Sequence, residues 1–431
     1  MTSEVVVMNR LAVALAADSA TTVSGPNSQK IWNSANKLFA LSKTHPVGVM
    51  FYNNASILGV PWETIIKAYR AELGCRAFDS LEQYGDDFLR FLNEARLMFP
   101  DELQRKYFMR AFSATLKRLV EHAHQAFIDA LVEGRPGNEA DEFLKVVDGE
   151  LAEWEQLDDL NTTPAHAEAG LLGAYGQEVD GAIESALEHL TEIAELEEVK
   201  SKLRRLAVLS VTKAEFGDEY TGVVFAGFGE KQHFPVVQSL RIGGVILDYV
   251  RHSVPDIEAI SDTNPSSVKP FAQSEMVTTF LEGINPRLRR NFIRNFVTLT
   301  LGLPETVIDA ISDLDDARKQ HWKAQVRDQA GAAITSMLEK LKRHRFENHY
   351  APIHAALVHL PKDELANVAE SLVNLNSFQK KVSMDDETVG GPIDVAVISK
   401  GDGLIWIKRK HYFSRELNEH YFNNMQRHQE I

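Results

Sequence analysis

Cysteine is almost missing from this chain: Cys75 is the single one in 431 residues. An internal disulfide is thereby excluded, as is a thiolate zinc site, and a reducing compartment fits. Cys75 follows a helix-ending Gly74 with no partner pattern around it and reads as structural. Positive charge is scarce too. Lys and Arg number 46 against 61 Asp and Glu, a formal net charge of −15. That balance argues against nucleic acid as a partner, because such affinity comes from Lys and Arg displacing counterions. No apolar run approaches the roughly 20 residues that cross a bilayer. The N-terminal stretch is interrupted by Asn9, Arg10 and Asp18 instead of running on as a leader. The expectation is a cytoplasmic protein with no membrane partner. A Gly-rich loop ending in Lys-Ser or Lys-Thr is also lacking, so ATP use by this chain is not expected and no cofactor is called for.

What is present is ordinary globular material, 44% hydrophobic and 25% charged. Apolar runs at Val5–Met8 and Leu11–Leu15 predict a strand pair around Asn9-Arg10, and a second pair is expected at Lys37–Leu41 and Val47–Tyr52. Their near-continuous apolar character predicts a covered sheet. Trp62, Ile65, Ile66, Tyr69 and Leu73 then share one helical face between Pro61 and Gly74. Helical patterns continue from about Asp86 to Arg204. Strands are expected at Leu206–Val211, Gly222–Phe228 and Phe234–Leu247, with helices over Glu275–Leu301, His321–Arg345 and Pro361–Leu375. A hairpin of Ile393–Ile398 and Leu404–Lys408 closes the pattern. Strands at both ends with helices between imply one α+β core completed by distant segments, interrupted by a helical region at 76–205. Residues 2–75, 206–284 and 361–415 would supply the core, 285–360 additional helices, and 416–431 a tail.

Four segments in this order resemble the proteasome-type N-terminal-nucleophile hydrolases, the family of the proteasome β-subunit and the HslV peptidase. Ala17-Asp18-Ser19 stands sixteen residues after Thr2, the spacing that family uses between its threonine and its aspartate. Lys37 opens Lys-Leu-Phe-Ala-Leu41, Tyr52-Asn-Asn-Ala55 sits at a strand-to-helix junction, and Asp386-Glu-Thr-Val-Gly-Gly391 precedes the last hairpin. The resemblance covers roughly 2–75, 206–248 and 361–410. It implies a four-layer αββα sandwich, a ring-like homo-oligomer, and hydrolysis of peptide bonds by Thr2 once Met1 is removed.

By that resemblance the α-amine of Thr2, with an ordinary pKa of about 7.7–8.0, would be the base. Lys37 would lower the threonine's proton affinity, Asp18 and Asp386 would orient, and the amide of Asn53 would stabilise the oxyanion. Three positions depart from the family pattern: Ala20 replaces an arginine, Asn53 a glycine and Val389 a serine. They leave open a reading from another class, a non-catalytic assembly or binding protein that keeps the fold and uses its helical insertion as an interaction surface. A third reading docks an unfoldase or other delivery partner on that insertion. No metal site is expected: His344, His349, His354 and His359 recur every five residues, which scatters them around a helix, and His122 and His124 point apart.

Overall fold

The computed structural model describes residues 3–25, 28–135, 138–160, 167–188, 190, 196–217, 219–382, 390–414, 416–420 and 423. The chain opens with β1 (Ser3–Asn9), β2 (Val13–Ala17), β3 (Thr21–Gly25), β4 (Ser28–Trp32), β5 (Leu38–Ala40), β6 (Val47–Asn53), β7 (Ser56–Ile57) and β8 (Val60–Pro61). Six helices follow: α1 (Trp62–Leu73), α2 (Leu81–Glu94), α3 (Asp101–Val132), α4 (Glu139–Gln156), α5 (Ala167–Leu187) and α6 (Leu196–Thr212). Strands return as β9 (Thr221–Gly227), β10 (Val236–Ile246), β11 (Tyr249–Ala259) and β12 (Ser266–Ala272). Then come α7 (Glu275–Glu282), α8 (Pro286–Asp309), α9 (Asp316–Arg345), a π-helical turn (Phe346–Tyr350), α10 (Ala351–Leu357) and α11 (Lys362–Val382). The hairpin β13 (Asp394–Ser399) and β14 (Gly403–Lys408) is the last pair of strands.

Two units share these elements, one of Met1–Leu38, His233–Pro235 and Ala259–Ile431, the other of Phe39–Gln232 and Val236–Glu258. In the first, the sheet order is β12-β1-β2-β13-β14, so both ends of the sequence meet in one antiparallel sheet. The β1–β2 turn is closed by Asn9, whose Oδ1 accepts from the amides of Leu11 and Ala12. Every residue of β1 and β2 is buried. On one face Val5, Val7, Ala14 and Ala16 pack with Leu365, Ala369 and Val373 of α11.

In the second unit the order is β11-β10-β9-β6-β5. Trp62 and Tyr69 of α1 and Phe88 of α2 pack in one core with Phe51 and Phe225 of that sheet. A separate core holds α3–α6 together through Phe108, Phe112, Tyr175 and Leu203, and reaches the sheet at Ile246 and Tyr249. The result is an α+β fold in which a sheet, a helical layer and further inserted helices alternate along the sequence. No described helix is long and apolar enough to cross a membrane.

Two expected elements change. Leu206–Val211 is not a strand but the end of α6, where Leu206, Ala207 and Val211 complete the core with Phe108 and Phe112. A short apolar run has no period of its own, and here tertiary packing settles its state. The single helix expected over Glu275–Leu301 is broken in two. Gly283 takes φ 70°, which ends α7, and Asn285 caps α8 by accepting from the amides of Arg287 and Leu288 ahead of a Pro286 first turn. Strands β11 and β12 had no place in the sequence pattern, because Pro255 and Pro270 interrupt their apolar alternation.

Candidate functional site

Strand β2 runs out at Ala17, and the next side chain, Asp18, is fully enclosed. Its Oδ1 accepts from Lys37 Nζ at 2.6 Å and from the amide of Ser3 at 3.1 Å. Its Oδ2 accepts from the amides of Gly390 at 3.0 Å and Ala20 at 3.3 Å. One carboxylate thus joins the start of β1, the end of β2, the approach to β5 and the segment ahead of β13. Lys37 is only 2% exposed, so the ion pair is sealed from solvent and its long side chain is part of the interior.

Glycine is required beside this pair. Gly391 takes φ 77°, and a Cβ there would stand 2.9 Å from that of Asn33. The neighbouring main chain is tied as well: Ser19 N donates to Gly390 O, and Ser19 Oγ donates to Pro392 O. Glu4 is a third buried charge-bearing group that the sequence reading missed. Among the described residues neither of its carboxylate oxygens has a hydrogen-bond partner. Burial holds its acid well above the ordinary carboxylate range, with Lys37 pulling it back and Asp18 pushing it further up. A lone glutamate at the head of Val-Val-Val-Met was the available signal, since a strand buried on both faces leaves it no solvent to reach.

Of the five expected site residues, the structure brings Asp18 and Lys37 together. Asn53 ends β6 in the other unit, exposed, with φ 72° and its Nδ2 donating to Tyr220 O at 2.8 Å. Thr2 and Asp386 lie outside the described residues. The hydroxyls that stand at the pair are committed to structure: Ser3 Oγ accepts from Asn376 Nδ2 at 2.7 Å, and Ser19 Oγ serves Pro392. Among the described residues neither hydroxyl is hydrogen-bonded to a base, and Cys75 is exposed in the other unit. Among the described residues no three His, Cys, Asp or Glu side chains converge as metal ligands. His354, one of the four regularly spaced histidines, exchanges hydrogen bonds with Ser266.

No protein-family model matches the chain, and no curated protein is similar to it. Among solved structures it is similar to Anbu (ancestral beta-subunit) from Yersinia bercovieri, at 9% identity and a TM-score of 0.28, over 99% of this chain and 95% of that one. It is similar also to an Anbu (Gly-1) mutant from Hyphomicrobium sp. strain MC1, at 10% identity and 0.28, over 100% and 98%. A further Anbu structure from that strain stands at 10% and 0.28, over 99% and 97%. The likeness is distant. In place of an identity with the proteasome β-subunit or HslV it leaves a remote structural relationship, and it carries no activity with it.

The expectation of a threonine hydrolase is overturned by these findings. Lys37 is enclosed and donates to Asp18, while Thr2 lies outside the described residues. The described residues around the pair supply no hydroxyl or thiol paired with a base. What the geometry does chemically is hold four chain segments together through one desolvated, fully hydrogen-bonded carboxylate.

Proposed function

We propose that this chain is a non-catalytic assembly module, and that copies of it associate through the α8–α9 hairpin. One observation carries this reading: α8 is 24 residues long and buries a single side chain, Ile308. Leu288, Phe292, Leu299, Leu303 and Val307 are 47–62% exposed. At 100° per residue they fall, with half-buried Phe296, within an arc of about 100°, the width of a core-facing stripe. A soluble chain leaves such a stripe uncovered only where something covers it in use.

Charge names the occupant. Segment 286–345 carries 12 Lys and Arg against 7 Asp and Glu, while segment 76–205 carries 14 against 28. The surface complementary to the hairpin is therefore on the chain itself, on the helices α2–α6, and a second copy supplies it. This assigns the helical insertion of 76–205 the role of acidic partner surface and leaves the α+β core as scaffold. Such a contact is head-to-tail, which closes into a ring or propagates. Asp18 and Lys37 are then a positioning pair for the core, and neither a peptide substrate nor an unfoldase is needed. Light scattering tests the reading: the wild-type mass should be a multiple of 48.3 kDa, and Leu299→Glu/Leu303→Glu should reduce it to one. A wild-type monomer at micromolar concentration would end it.

A further inference from the structure

At the C-terminal end of α9 the helix widens into the π-helical turn Phe346–Tyr350, a conformation costly enough that it usually serves a purpose. Beside it lies a cleft of about 570 Å³, inside the size range of small-ligand sites. Two kinds of wall line it. One is aromatic: Phe346, 57% exposed, stacks on Tyr350 at 5.8 Å, and Tyr350 stacks on His354 at 3.9 Å. An open ring face at the end of such a stack is a ready platform for a flat apolar group.

The other wall is basic. Lys342, Arg343 and Arg345 line it together with Glu282 and Glu339. Glu282 is already matched, since it accepts from both Arg345, at 2.6 Å, and Arg289. Lys342 and Arg343 have no ion-pair partner among the described residues, and Arg345 retains an enclosed Nε without an acceptor. The surplus is positive, at the side of a ring platform.

We infer that this cleft binds a small aromatic anion, its ring on Phe346 and its carboxylate or phosphate against Lys342 and Arg343. Neither wall suffices by itself: an anion alone has no reason to seek the exposed rings, and an apolar ring alone has no reason to sit among three cations. The assembly reading counts Lys342, Arg343 and Arg345 in the charge of segment 286–345, but it rests on the α8 stripe, which the cleft does not use.

Calorimetric titration of the full chain with 2-naphthoate, 2-naphthyl phosphate and neutral 2-naphthamide tests it. At least one anion should bind one to one, about tenfold or more tighter than the amide, as expected for charge-assisted hydrogen bonds. The tighter of the two anions identifies the preferred headgroup. Lys342→Gln/Arg343→Gln should weaken the anion about tenfold and leave the amide unchanged, and Phe346→Ala should weaken both. All three side chains are exposed, so a thermal melt matching wild type confirms that the variants fold. Equal binding of anion and amide, undiminished binding by the double variant, or no binding of either anion at millimolar concentration would overturn the inference.

Discussion

Lys37 Nζ lies 2.6 Å from Asp18 Oδ1, and neither side chain reaches solvent. Breaking a buried pair strands a charge, which costs about 3–5 kcal/mol. Lys37→Met is therefore expected to lose stability of that order in urea denaturation. Asp18→Ala should lose more, because it also leaves the amides of Ser3, Ala20 and Gly390 without their acceptor. The double variant Asp18→Ala/Lys37→Met should be more stable than the sum of the single losses, since it strands no charge. Strict additivity would show that the pair does not act as a unit.

Glu4 gives the fold a pH dependence of unusual sign. In the folded state burial keeps its proton; in the unfolded chain it titrates near the ordinary 4.5. Below that value both states are protonated and nothing is lost. As pH rises through it, only the unfolded chain releases the proton, so stability falls, by up to about 1.4 kcal/mol per pH unit, until the folded carboxyl titrates too. Glu4→Gln should remove this fall and be more stable than wild type at pH 7.5, with little difference at pH 4. Urea midpoints across that range decide it, and a difference independent of pH would count against a protonated Glu4.

The apolar stripe of α8 predicts a separation between assembly and folding. Leu299→Glu/Leu303→Glu replaces exposed side chains, so its thermal midpoint should stay within a few degrees of wild type while sedimentation shows the monomer. Because the proposed contact joins a basic hairpin to acidic helices, dissociation should also rise between 50 mM and 500 mM salt. Salt-insensitive association would point to a contact that does not involve the 76–205 surface.

A threonine-directed epoxyketone should add no covalent mass to the intact chain. Mass spectrometry after overnight incubation reads this directly. An adduct abolished by Lys37→Ala would restore a nucleophile that the enclosed pair does not present.

Much of the architecture was legible in the residues. The apolar runs of β1, β2, β6, β9 and β13 announce themselves because buried strands are apolar nearly throughout, the β13–β14 pair because a Gly-Asp-Gly turn joins two apolar runs, and α1 because Pro61 and Gly74 bracket a 3.6-residue period. The resemblance also pointed to Asp18 and Lys37 as related. It could not say whether that relation was chemical or structural, since an activating lysine and a sealed ion pair use the same two residue types.

Other features were decided only by tertiary packing. Leu206–Val211 became helix because α3 and α5 offered it a core, and Glu4 became a buried, partnerless acid because β1 is covered on both faces. The uncovered stripe of α8 is of the same kind. Its periodicity is written in Leu288, Phe292, Leu299 and Leu303, but a pattern of apolar residues says only that a face wants burial. Whether the chain itself provides that burial depends on which elements reach the face, and that information exists only once the chain has folded.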